Sequence, residues 1–136
     1  MKIRSDYTCP LEIVHDIIKG KWKPIIIFQL RSGKVTLANL ERQIEGISQK
    51  MLMEQLRELT EFKIVECTRY NGYPLKVEYS LTDNWGIKML MAVYIMQEVG
   101  IEYMQENGMN DILECKGIKN SSQERKRIIR DAIKLF

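Results

Sequence analysis

The cysteines and the histidine are the side chains on which nucleophilic or metal chemistry would depend. The 136-residue chain contains three cysteines (Cys9, Cys67 and Cys115) and one histidine, His15. Three widely spaced cysteines fit neither a disulfide framework nor a zinc site. One histidine excludes His-pair metal sites, and we expect no histidine-based catalytic triad. Because the eight glycines are scattered singly, no glycine-rich phosphate loop is present. We therefore expect no enzyme, no metal site and no cofactor.

A polar helix face near the middle of the chain has the chemistry to recognise nucleic acid. Ser48 is suited to cap a helix that runs to about residue 62, whose leucines recur on one face. The opposite face presents Gln49, Lys50, Met53 and Arg57. Glutamine can read adenine and lysine can read guanine in the major groove. Arg57 lies two turns into the helix, so we expect it to contact a phosphate.

A predicted hairpin with basic and aromatic side chains follows this helix in the sequence. Residues 64–70 and 76–81 have the composition and alternation of two strands, and the Asn71-Gly72 pair between them is a strong signal for a hairpin turn. The tip carries Arg69, Tyr73 and Lys76. One interpretation is an ordinary solvated turn. The other is a wing that contacts the backbone or the minor groove of the flanking DNA.

Helices predicted upstream of residue 48 should position the polar helix face and the hairpin. Cys9-Pro10 predicts a helix start with Cys9 at the N-cap, because proline is tolerated at the first helical position. A second helix is predicted over residues 21–30, and Thr36 caps a third helix that ends near Gly46. Two short helices joined by a tight turn, followed by a hairpin, describe a winged helix-turn-helix domain. The expected fold class is mainly α with a small β-hairpin.

A long helix is predicted from residue 82 or 83 to about residue 107, and its middle, residues 89–96, is apolar nearly all round. This run is far too short to span a membrane. A helix that covers one core face needs only an apolar stripe, so we expect a second subunit on the other side. The predicted dimer interface consists of Leu11, Val14, Leu90, Val93, Tyr94 and Ile101. The alternative for its methionines and aromatic residues is an effector pocket between the subunits.

The last part of the chain predicts a basic amphipathic helix that begins at residues 121–122. Such a helix can dock on its own dimer, lie on a membrane surface or add DNA contacts, and docking is the favoured interpretation. We therefore divide the chain into residues 1–107, for DNA binding and dimerisation, and a C-terminal extension, residues 108–136.

Six ordered blocks between residues 8 and 105 resemble the HxlR-type winged-helix transcriptional regulators, relatives of the MarR group. The blocks are Cys9-Pro10, Gly20-Lys21-Trp22, Leu37-x-x-Leu40, Gly46-Ile47-Ser48-x-Lys50-x-Leu52, Leu56-Arg57-x-Leu59 and Val77-Glu78-Tyr79-x-Leu81-Thr82. The resemblance implies a homodimeric regulator with Ser48, Gln49, Lys50 and Arg57 on its recognition helix. The chain departs from the family pattern at three places: Lys63 replaces a glycine, Leu75-Lys76 replaces proline-arginine, and Thr36 replaces a basic residue.

The resemblance also implies a candidate redox sensor, because some family members respond to oxidants or electrophiles through the cysteine that Cys9 matches. A helix N-terminus favours the thiolate, which is the reactive form of a thiol. The alternative is a cysteine that packs at the dimer interface and does not react.

We expect a cytoplasmic, dimeric regulator that binds double-stranded DNA, with an oxidant or a small molecule as its effector. The rival interpretation is a winged-helix module that binds protein instead of DNA. The net charge of +3 permits nucleic-acid binding without requiring it.

Overall fold

The computed structural model describes residues 3–115 and 122–134, and it confirms the mainly helical fold class. The helices are α1 (Pro10–Ile18), α2 (Trp22–Gln29), α3 (Leu37–Gln43), α4 (Gln49–Glu61), α5 (Trp85–Glu106), α6 (Asn110–Cys115) and α7 (Ser122–Ile133). The strands are β1 (Val35–Thr36), β2 (Val65–Tyr70) and β3 (Lys76–Leu81). All pairings are antiparallel and the strand order is β1-β3-β2. The short helix α6 was not among the predicted elements.

The chain divides into two compact units, Met1–Met89 and Leu90–Phe136. The first, called the N-terminal unit, contains α1 to α4 and the whole sheet, and the second, called the C-terminal unit, contains most of α5 together with α6 and α7. The predicted division between residues 107 and 108 is a functional one, between the region for DNA binding and dimerisation and the C-terminal extension. This division stays a prediction.

The core of the N-terminal unit is aliphatic. Its most deeply buried side chains are Ile26, Ile27 and Leu30 around α2, Leu40 in α3, Leu52, Leu56 and Leu59 in α4, and Val65 in β2. The three α4 leucines recur at helical spacing, so they form one stripe that packs inward. This stripe confirms the predicted inner face of α4 and leaves its opposite face to solvent.

The helix starts follow the capping residues that the sequence predicts. The Thr36 hydroxyl accepts a hydrogen bond from the Asn39 amide at 3.2 Å, and the Ser48 hydroxyl accepts one from the Met51 amide at 3.1 Å. Both residues are extended, as N-caps usually are. The first cap fixes the start of α3, and the second lies at the tight connection between α3 and α4, so local hydrogen bonds define both helix starts of the helix-turn-helix.

The end of α4 is closed by a Schellman motif. The Ile64 amide donates to the Leu59 carbonyl at 3.0 Å, and the Lys63 amide donates to the Thr60 carbonyl at 3.1 Å. Leu59 and Ile64 are both buried, which supplies the apolar contact that accompanies this motif. Lys63 has φ of 61°, the left-handed conformation that favours glycine. The glycine that the resemblance implies at this position would therefore suit the backbone conformation.

Thr82 joins the hairpin to α4 and to the start of α5. Its hydroxyl donates to the Lys63 carbonyl at 2.7 Å and accepts from the Gly86 amide at 2.8 Å, while its amide donates to the Ile64 carbonyl at 3.0 Å. Because Thr82 serves as this junction, α5 begins at Trp85 and not at residue 82 or 83 as predicted.

The C-terminal unit contains a partly buried ion pair between its two longer helices. Arg125 Nε of α7 lies 2.8 Å from Glu98 Oε2 of α5, and both side chains are mostly buried. The predicted helix at the end of the chain is confirmed as α7. Its other basic side chains, Lys126, Arg127 and Arg130, are exposed, as is Lys134 directly after it. None of the described helices has the length and apolar character required to cross a bilayer.

We expect Lys63→Gly to stabilise the protein by about 0.5–1 kcal/mol, because glycine adopts the left-handed conformation without the steric penalty that lysine incurs there. Denaturant unfolding measures the change. The matched control is Lys88→Gly in the body of α5, where the same replacement should destabilise by about 1 kcal/mol. A loss of stability for Lys63→Gly would show that the lysine side chain makes a compensating contact.

Candidate nucleic-acid interface

The outward face of α4 is exposed and mainly polar. The exposed side chains on this face include Gln49, Lys50, Met53 and Arg57, with Ser48 at the N-cap. The oxygen of the Ser48 hydroxyl accepts a backbone hydrogen bond, so its hydrogen can still be donated to an anion. The first turn of the helix adds the positive end of its dipole. The predicted recognition residues therefore share one accessible surface at the start of α4.

A partly buried ion pair joins α4 to α2. The Lys23 side chain of α2 is 4% exposed, and its ammonium donates a hydrogen bond to the Glu58 carboxylate of α4. This hydrogen bond lowers the pKa of Glu58 below its ordinary value. The pair lies on a flank of α4 and not on its outward face, so it orients the helix without occupying the candidate interface.

Lys23 is a buried residue that was not predicted from the sequence. Its spacing could have indicated burial. Lys23 precedes the buried residues Ile26 and Ile27 by three and four positions, and it therefore shares their helix face. A lysine on an apolar face requires a carboxylate partner, but the sequence does not indicate which of its glutamates comes near.

The wing presents a second accessible group of cationic and aromatic side chains. Arg69 and Lys76 are exposed, and Tyr73 is completely exposed. Lys76 Nζ lies 3.0 Å from Glu78 Oε1, and this hydrogen bond raises the pKa of Lys76. The Lys76 ammonium is also 5.2 Å from the centre of the Tyr70 ring. The contact with Glu78 offsets part of the positive charge near the tip of the wing.

Lys34 is a further cation at the wing, and it was not among the wing residues predicted from the sequence. It precedes β1, and its ammonium donates to the Tyr70 hydroxyl at 3.4 Å. Its proximity to Tyr70 arises because β1 joins the sheet beside β3, a pairing between segments that are distant in the sequence.

Cys9 occupies the N-cap of α1, as predicted, and is exposed. The Glu12 carboxylate accepts a hydrogen bond from the Cys9 amide at 3.1 Å, and bonds from the Thr8 and Cys9 amides lower the pKa of Glu12. The Arg4 guanidinium binds the Asp16 carboxylate at 3.1 Å. The charged group that binds the Cys9 backbone, the Glu12 carboxylate, is therefore negative, and the Arg4 guanidinium is paired with Asp16. Lys2 lies outside the described residues.

Of the other two cysteines, Cys67 is the one whose side chain the structure describes. Cys67 is half-buried in β2, where it pairs with Tyr79 across the sheet. Burial raises the pKa of the Tyr79 hydroxyl. The side chain of Cys115 lies outside the described part of the structure.

The predicted dimer residues fall into two groups. Leu11 is 75% exposed, and Val14 and Tyr94 are half-buried, so each has surface available for a partner. Leu90, Val93 and Ile101 are already buried in the single chain. Other large apolar side chains of α5 are exposed, namely Trp85, Ile95, Met96, Val99 and Tyr103. The all-round apolar sequence of α5 did not reveal which stripe the chain itself covers, and the interface assignment stays a prediction.

A capped helix-turn-helix, an accessible second helix and an attached wing define the winged helix-turn-helix class of transcriptional regulators. Residues 17–108 match the model of the HxlR-like helix-turn-helix family. The chain belongs to this family, and the family resemblance seen in the sequence is confirmed. The relatives are transcriptional regulators, and no enzyme family is indicated.

Three relatives illustrate the match. The HTH-type transcriptional regulator YybR of Bacillus subtilis is 38% identical over 107 residues, which cover 74% of this chain and 85% of YybR. The redox regulator HypR in its reduced form superposes with a TM-score of 0.63 and 36% identity, covering 79% of this chain and 99% of HypR. Diamide-treated YodB from B. subtilis has a TM-score of 0.59 and 30% identity, covering 72% of this chain and 97% of YodB.

The Lys23–Glu58 pair makes stability depend on pH. Because the pKa of Glu58 is lowered from 4.5, its contribution is complete above pH 4.5 and is lost as the pH falls through the lower folded-state pKa. We expect Glu58→Gln to destabilise by about 2 kcal/mol near neutral pH, because the buried ammonium loses its carboxylate. The variant should also lose less additional stability on acidification than the wild type.

Urea titrations at neutral and acidic pH measure both effects. Glu61→Gln is the matched control, since Glu61 is an exposed glutamate on the same helix, and it should retain the stability and acid response of the wild type. If Glu58→Gln and the wild type lost equal stability on acidification, the pH dependence could not be assigned to the Lys23–Glu58 pair.

Proposed function

We propose that this protein is a dimeric, sequence-specific DNA-binding regulator whose α4 helix enters the major groove. The observation that carries the proposal is the division of α4 into a fully buried leucine stripe and an exposed face with Gln49, Lys50, Met53 and Arg57. Glutamine and lysine at the start of the helix have the donors and acceptors that read base edges. The wing residues Arg69, Tyr73 and Lys76 would contact flanking DNA, and the Ser48 hydroxyl a phosphate.

Dimerisation is supported by apolar surface that the single chain leaves uncovered. Helix α1 has no fully buried residue, and Leu11 is among its most exposed side chains. On α5, Val99 and Tyr103 are 66% and 62% exposed. A twofold dimer would place two recognition helices about 34–36 Å apart, the spacing of successive major grooves on one face of the duplex. The target would then be a pseudo-palindrome.

The mobility-shift test uses duplexes recovered from a random library with the wild-type protein. We expect Lys50→Ala and Arg57→Ala to weaken binding, and the loss of a phosphate contact by Arg57→Ala to reduce the slope of log affinity against log salt by about 0.9 per half-site. The matched control is Lys88→Ala, an exposed lysine on α5. Unchanged affinity for both α4 variants, or recovery of no duplex, would contradict the proposal.

We also propose that Cys9 makes the regulator responsive to oxidants. The support is its exposure at a helix N-terminus and the similarity to HypR, solved in reduced and oxidised forms, and to diamide-treated YodB. With hydrogen peroxide, the Cys9 thiolate would take one oxygen atom to become a sulfenic acid and release hydroxide. A change at the start of α1 would then alter the geometry of the proposed dimer.

Alkylation near neutral pH, followed by peptide mass spectrometry, tests the reactivity of each thiol. We expect Cys9 to react faster than Cys67, because the Cys67 side chain is half-buried in the sheet. Peroxide should change DNA affinity in the wild type and in Cys67→Ser, but not in Cys9→Ser. Equal alkylation rates, or a peroxide response that survives in Cys9→Ser, would refute the sensor assignment.

A further inference from the structure

Met53 is an apolar side chain in an otherwise polar setting. The structure describes all of α4, and Met53 is the large apolar residue of this helix that is exposed, at 51%. Lys50 precedes it by three residues and Arg57 follows it by four, so it lies between two exposed cations along the helix surface. The thioether of Met51, by contrast, is half-buried and accepts a hydrogen bond from Gln55 Nε2 at 3.3 Å.

The position of Met53 restricts what it can recognise. In the proposed DNA complex, Lys50 faces base edges near the start of α4, and Arg57 faces the backbone further along. A side chain between them reaches the floor of the major groove. The C5 methyl of thymine is the apolar group that the four unmodified base pairs present there. A flexible, polarisable methionine side chain can pack on this methyl group without requiring a fixed hydrogen-bond geometry.

We propose that Met53 is a specificity-determining residue that recognises the 5-methyl group of a thymine in each half-site. The inference rests on the proposed DNA-binding function, and it adds the base that this position selects. It also separates the roles along α4, with Lys50 and Gln49 reading polar base edges and Met53 distinguishing thymine from cytosine and from the purines.

The test removes the methyl group alone. Duplexes selected from a random library with the wild-type protein are resynthesised with each thymine replaced in turn by deoxyuridine, which lacks the 5-methyl group and keeps the Watson–Crick edge. We expect one thymine position per half-site at which deoxyuridine weakens binding about fourfold, the effect of one apolar carbon losing its contact. At the other thymine positions, affinity should be unchanged.

A comparison of variants assigns the effect to Met53. Met53→Ala should bind the thymine duplex several-fold more weakly than the wild type, and replacement by deoxyuridine at the sensitive position should cause it no further loss. The matched control is Leu75→Ala, which truncates an apolar side chain that is 62% exposed near the wing tip. This variant should retain the full wild-type response to deoxyuridine.

The other outcomes overturn the inference in distinguishable ways. If binding is strong but no thymine position is sensitive, or if Met53→Ala remains sensitive to deoxyuridine, DNA binding stands and the role of Met53 is wrong. If Met53→Ala leaves affinity for the thymine duplex unchanged, Met53 contacts something other than DNA, such as a protein partner. If selection recovers no duplex, the DNA-binding proposal itself fails.

Discussion

The ion pair between Lys23 and Glu58 is the constraint on which the orientation of α4 depends. A lysine ammonium in an aliphatic core is strongly unfavourable without a carboxylate, so α2 and α4 have few arrangements in which Lys23 remains buried. The leucine stripe drives burial of α4 but tolerates small rotations, because apolar packing is not directional. The charged hydrogen bond to Glu58 is directional, and it therefore selects the rotation that turns Lys50 and Arg57 to solvent.

The two ends of α4 extend this fixed orientation to its neighbours. The Ser48 cap ties its start to the turn after α3, while the Schellman motif around Lys63 leads directly into β2. Thr82 then connects that turn to the hairpin and to α5. A short chain of backbone and hydroxyl hydrogen bonds thus links the recognition helix, the wing and the long helix. This continuity is what a regulator needs if events elsewhere in the chain are to affect its contacts with DNA.

The features that the sequence predicted correctly are those determined by nearby residues. The N-caps Cys9, Thr36 and Ser48 and the turn at Asn71-Gly72 depend on interactions spanning a few positions, and the structure contains each of them. The features it missed depend on contacts between distant elements, such as Lys23 with Glu58 or Lys34 with Tyr70. Burial along α5 belongs to the second kind, since a helix apolar on every side does not reveal which side its own chain covers.

Charged and apolar side chains have different roles at the candidate interface: the first would supply affinity for any duplex, and the second would add sequence discrimination. Cations such as Arg57 attract any duplex, because the phosphates that they neutralise are the same in every sequence. In the proposed complex, the discrimination between sequences would therefore come from the few side chains at the start of α4 that face base edges. A modest net charge of +3 is consistent with this division, since it limits binding to arbitrary DNA and leaves a larger share of the affinity to specific contacts. The proposed twofold dimer would double each contact, so even a single methyl group per half-site would become a substantial part of the total discrimination.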